Sequence, residues 1–157
     1  MDFEWRLSKD NSETLITSHF REDSGFFFHE RALDAGEPIP YKLLQQGWSV
    51  LQATCRYLHD ELELSFAEIA RQIDRDQRTV WTSYHQTKGK ELPHLNPFKW
   101  GFPAHILRDR SLSALEAVVS HLLNQGLAVS AVATLLGRHV QTIWTIKRKL
   151  RQKGVET

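Results

Sequence analysis

The chain has 157 residues, 41% of them hydrophobic and 25% charged, with a net charge of +1, values ordinary for a globular protein. No apolar run approaches the roughly 20 residues of a membrane-spanning helix, and the opening MDFEWRLSKD carries neither a secretory signal nor a transit pattern. The single cysteine, Cys55, excludes an internal disulfide framework and fits a reducing cytoplasm; its apolar-periodic setting reads as a buried structural thiol rather than a nucleophile.

Residues 1–38 form an acidic extension: residues 1–40 hold nine acids against four bases. DFEWRL and ETLITSHF alternate in hydropathy, and Gly25-Phe26-Phe27-Phe28 is strongly apolar. A small strand pair or an extended arm is expected. It would close the core, cover a basic surface or engage a protein partner.

Residues 39–90 read as three helices. Leu51, Thr54, Cys55 and Leu58 recur at helical spacing, predicting a first helix over 43–60. Ser65 and Glu68 form a capping box for a second helix, whose inward face is Phe66, Ile69, Ala70 and Ile73. Asp76 caps a third helix that runs to about His85. A short helix, a turn of three or four residues and another helix is helix-turn-helix spacing. The linker over 91–101 lies within ELPHLNPFKWGFP (Glu91 to Pro103), which has three prolines and is not helical. Those thirteen residues could span about 43–47 Å, more than the ~34 Å between successive major-groove faces. Phe98, Trp100 and Phe102 are expected to dock onto the helices and fix the relative pose.

Residues 102–157 repeat the pattern at an offset of 63 or 64. Identities include Pro40/Pro103, Leu44/Leu107, Ser49/Ser113, Ala70/Ala133, Arg75/Arg138, Thr79/Thr142, Trp81/Trp144 and Thr82/Thr145. Helices are predicted over 115–123, 129–136 and 140–152, with Gly137 at the turn that Asp74 occupies in copy one. Copy two replaces the capping residues Ser65 and Asp76 by Ala128 and His139, so both caps are expected to be lost. No acid stands between Glu116 and Glu156, whereas six bases do. The expected class is all-α: two tandem trihelical helix-turn-helix units behind a short extension.

Glu68-Ile69-Ala70, the apolar Ile73, Arg75 and Thr79-Val80 carry a resemblance. The chain resembles the homeodomain-like helix-turn-helix superfamily, most nearly sigma-factor region 4 and the N-terminal helix-turn-helix of some transposases, over about 39–90 and 102–154. Asp74 departs from the Gly usual there. The resemblance implies trihelical units whose third helix lies in the DNA major groove, in a prokaryotic transcription regulator acting at the nucleoid in the cytoplasm.

In that geometry the start of helix three faces base edges and its later cations face phosphates. His139, Gln141, Thr142 and Thr145 are nominated for bases in copy two, and Arg138, Lys147, Arg148, Arg151 and Lys153 for phosphates. The copy-one counterparts are Gln77, Arg78 and Thr82 for bases, with Arg75, His85 and Lys88 for the backbone. Copy two, free of the acids Glu68, Asp74 and Asp76, is expected to dominate affinity. Trp81 and Trp144 are expected to pack against the end of helix one rather than stack on sugar or a partner.

The eight histidines show no HExxH spacing, and neither a phosphate loop nor a nucleophile elbow occurs. No enzymatic activity, cofactor or metal is expected, and the partner is double-stranded DNA. Two other uses remain: a protein-interaction adaptor of sigma/anti-sigma type, and the DNA-binding part of a transposase or recombinase. Oligomeric state stays open.

Overall fold

A computed structural model of the protein describes residues 38–95 and 100–157; the strand or arm expected within residues 1–37 lies outside them. Described elements run in the order β1 (Ile39–Pro40), a first 3-10 arm (Tyr41–Gln46), α1 (Val50–Asp60), α2 (Phe66–Ile73), α3 (Gln77–His85), β2 (Gly101–Phe102), a second 3-10 arm (Ala104–Arg108), α4 (Ala114–Asn124), α5 (Val129–Leu136) and α6 (Val140–Gln152). The all-α class with two three-helix clusters is thus observed, each cluster preceded by the same short strand and arm.

The first helix begins later than the periodicity suggests. Gly47 adopts φ +80° and ends the arm with its N–H on the Leu44 carbonyl. Ser49 then starts α1 through a reciprocal box with Gln52. Periodicity alone cannot see a break that a left-handed residue makes in mid-pattern. Copy two does the same with Ser113 and Glu116. Glu63 (φ 55°) and Gly126 (φ 86°) turn the chain after α1 and α4 at equivalent positions. The one-residue gap in the repeat falls just before Glu63.

Asp74 and Gly137 both sit in the left-handed region, at φ 50° and φ 60°. After each, the next N–H returns to the helix: Arg75 to the Ala70 carbonyl and Arg138 to the Ala133 carbonyl, both at 2.9 Å. This closes the second helix and aims the third. Capping differs between the copies, but by less than the sequence implies. Ala128 makes no side-chain cap for α5, whereas His139 does cap α6, accepting from the Gln141 N–H at 3.3 Å. An imidazole nitrogen replaces the carboxylate of Asp76.

The copies are not beads on a tether. Both lie within one compact unit, Gly36–Thr157, and contribute to one hydrophobic cluster. β1 and β2 pair antiparallel, with Ile39 opposite Phe102 and Pro40 opposite Gly101; Ile39 and Phe102 are fully buried. The arms are exchanged: the first packs on α5 and the second on α2, burying Leu43, Leu44, Ala104 and Leu107. This shared packing, and not the reach of the linker, sets the separation of the copies. Of the linker aromatics, Phe102 docks as expected and Trp100 is 71% exposed; Phe98 lies outside the described residues. Among the described residues, no helix is long and apolar enough to cross a membrane.

Candidate nucleic-acid interface

The inward face of α6 is set by Ile143, Ile146 and Leu150, all buried and spaced at helical intervals. The opposite face therefore points outward. Gln141, Thr142, Trp144, Thr145, Arg148, Lys149 and Arg151 are exposed. Gln141, Trp144, Thr145, Lys147, Arg148 and Arg151 line one shallow open depression. The Lys147 ammonium lies 5.9 Å over the Trp144 ring, a cation–π contact that holds its stem down along the helix. Thr145 donates its hydroxyl to the Gln141 carbonyl at 2.9 Å, leaving its methyl and lone pairs for a ligand. Among the described residues, no carboxylate pairs with Lys147, Lys149, Arg148 or Arg151.

Three other copy-two candidates are engaged within the fold. Arg138 donates to the Trp48 carbonyl at 3.0 Å, stapling the α5–α6 turn to copy one. Lys153 donates to the Ser111 carbonyl at 2.9 Å and to a Glu116 carboxylate oxygen at 2.8 Å. That hydrogen bond, with the Ser113 N–H, holds the Glu116 carboxyl below its ordinary range. His139 is exposed but spends a ring nitrogen on its cap.

The α3 face is similar in plan. Val80 and Ser83 are buried, while Gln77, Arg78, Trp81, Thr82 and Lys88 are exposed. Thr82 donates to the Arg78 carbonyl at 2.9 Å, as Thr145 does to Gln141. His85 is held by stacking on Trp81, with ring centroids 3.9 Å apart, and by its Nδ1 lying 2.9 Å from the Trp81 carbonyl oxygen. Arg75 is half-buried in the turn and donates to the Asp74 carbonyl. Burial first, and then the positive charge of Arg110, lowers its pKa. Below it, His59, Phe66 and Tyr84 form an aromatic cluster, and Arg56 donates to the carbonyls of Thr87 and Lys90. The guanidinium thereby fixes the end of α3.

Trp81 and Trp144 are not core residues. They are 48% and 52% exposed. Each follows a buried seam residue, Val80 or Ile143, by one position, and so lies about 100° around the helix from it. That angle was present in the sequence. Sequence reasoning also missed Gln45, Arg56 and Arg108, because their partners lie 31 to 90 residues away.

Burial pushes the Cys55 thiol up to about 12, which keeps it protonated and unreactive at neutral pH. Among the described residues, no group of three or more His, Cys, Asp or Glu side chains is placed to hold a metal ion. No family model, curated protein or solved structure matches this chain.

Proposed function

We propose that the protein is a sequence-specific, double-stranded-DNA-binding regulator whose α3 and α6 enter two adjacent major-groove half-sites. One observation carries the reading: on α6, Arg148 and Arg151 are exposed beside Gln141 and Thr145 in one depression, with no carboxylate among the described residues to neutralise them. Guanidinium groups so placed meet phosphates, while an amide and a threonine methyl meet base edges.

Titrating fluorescent duplexes at several salt concentrations tests this. The logarithm of the binding constant should fall with that of salt by about 0.9 for each phosphate contacted, and Arg148→Ala with Arg151→Ala should flatten that slope by about two contacts. Duplex binding that ignores salt, or is absent even at low salt, would sink the reading.

A second reading rests on the exposure of Trp81 and Trp144 at equivalent positions. Half-exposed tryptophans anchor protein interfaces, which favours an adaptor using the same two helices. Salt-insensitive capture of a protein partner, lost in Trp81→Ala or Trp144→Ala, would select it.

A further inference from the structure

Tandem units strung on a flexible tether can meet tandem half-sites, running the same way along a duplex. The exchanged arms impose a different symmetry. β1 and β2 are antiparallel, and Ile39 faces its own repeat equivalent, Phe102. The first arm lies on α5 and the second on α2. Gln45 donates to the Leu135 carbonyl at 3.2 Å and Arg108 to the Gln72 carbonyl at 2.9 Å; both donors and both acceptors correspond at the offset of 63. Contacts of i with j matched by j with i define an isologous interface, and only a two-fold relation generates one. An approximate dyad through the Ile39–Phe102 pair therefore relates α3 to α6.

The helices it relates are alike at some outward positions and unlike at others. Thr82 and Thr145 correspond, and both turn their hydroxyl protons back into the helix, so each offers a methyl of the kind that packs on thymine. Arg78 corresponds to Gln141, and both are exposed. Arginine forks onto O6 and N7 of guanine, whereas glutamine pairs with N6 and N7 of adenine.

Resting on the DNA-binding reading above, we infer that the target is an imperfect inverted repeat read by a single chain. Its two arms run in opposite directions, agree at the position facing Thr82 or Thr145, and differ where Arg78 faces guanine and Gln141 faces adenine. Copy one supplies one arm and copy two the other.

Selection of the full chain on random duplexes, followed by titration of the enriched sequence and its rearrangements, tests the inference. The enriched motif should contain two related arms in inverted order. Reversing one arm, with spacing rescanned, should weaken binding at least about tenfold, since each mismatched pair costs roughly fivefold or more and a reversed arm mismatches several. Arg78→Gln should shift one position of one arm from guanine to adenine and bring the selected motif closer to a perfect palindrome. Enrichment of arms in direct order, or of a single arm whose partner can be scrambled at no cost, overturns the inference while leaving DNA binding intact. An unchanged motif with Arg78→Gln removes the guanine assignment. Failure to enrich any duplex at low salt overturns the DNA reading and this inference with it.

Discussion

The Nε2 of Gln45 donates to the carbonyl oxygen of Leu135, 3.2 Å away and 90 residues along the chain. The last carbonyls of a helix lack intrahelical donors, so a side chain from copy one completes the end of α5 in copy two. Arg108 returns the favour to α2 through the carbonyls of Gln72 and Arg71. Arg110 adds a bond to the Asp74 carbonyl at 2.6 Å, and Arg138 one to Trp48. Each three-helix cluster is therefore finished by the other copy, and the orientation of its third helix depends on that contact.

The strand pair is the tightest point of this arrangement. A Cβ on Gly101 would lie 2.3 Å from the Ile39 carbonyl oxygen and 2.6 Å from its carbon. Backbone cannot yield as a side-chain tip does. Gly101→Ala should lower stability by about 1–3 kcal/mol, read as a fall in the urea midpoint. An unchanged midpoint would mean that the pair is dispensable.

The two turns make opposite predictions. Asp74 bears the left-handed strain that Gly137 avoids, a penalty of roughly 1–2 kcal/mol for a residue with a Cβ. Asp74→Gly should raise stability by up to about 1 kcal/mol, the gain being trimmed by backbone entropy. Gly137→Ala should lower it by more, because its Cβ would also come within 3.1 Å of the Gln45 Cα. Thermal unfolding of both variants checks the signs.

The bare start of α5 can be repaired. Ala128 has the extended backbone of a cap residue but makes no cap hydrogen bond. Ser65 at the same place in copy one accepts from the Glu68 N–H. Ala128→Ser should add about 0.5–1 kcal/mol, with a further gain when Ala131→Glu completes the box. A neutral or negative change on denaturant titration contradicts the capping account.

Acid should weaken the fold in two stages. Burial, followed by the charge of His105, lowers the pKa of His121 from 6.5. The unfolded chain thus takes up that proton first, and stability falls as pH drops through the ordinary imidazole range. The Glu116 carboxyl is held below its ordinary 4.5, chiefly by the Lys153 hydrogen bond. Its contribution is present above that value and is lost as pH falls through the lower, folded one. Lys153 is 41% exposed, so solvent screening limits the pair to roughly 1 kcal/mol. Glu116→Gln should flatten the lower stage and leave the His121 stage in place, as followed by urea midpoints against pH.

Copy two should supply most of the affinity for nucleic acid. Its Arg148 and Arg151 are exposed and pair with no carboxylate among the described residues, whereas α3 begins on the Asp76 carboxylate. Neutralising Arg148 and Arg151 should weaken duplex binding more than neutralising Arg78 and Lys88. A larger loss from the copy-one pair would reverse the assignment.

Much of the architecture is legible in the residues. Ser65–Glu68, Asp76, Gly137 and the apolar periods place α2, α3, α5 and α6 at their observed limits. What escapes is whatever depends on distant partners. Nothing local in YKLLQQ shows that it will cross to the other copy, and a run of leucines at 43 and 44 continues the helical period through Gly47. The copy-two charge run is read in part: Arg148 and Arg151 are outward, while Arg138 and Lys153 serve the fold by donating to the Trp48 and Ser111 carbonyls, far away along the chain. Trp81 and Trp144 follow angular position more than hydrophobicity, since both are about half exposed.

Exchanged arms on one chain also free the assembly from dilution. Two such units on separate chains would dissociate at low concentration and lose their arms together. Here the connection between Lys90 and Gly101 keeps each arm near its seat at an effective concentration in the millimolar range typical of short tethers. The melting temperature should therefore be the same at nanomolar and micromolar protein, and cutting the chain within that connection should make it depend on how much of each fragment is present.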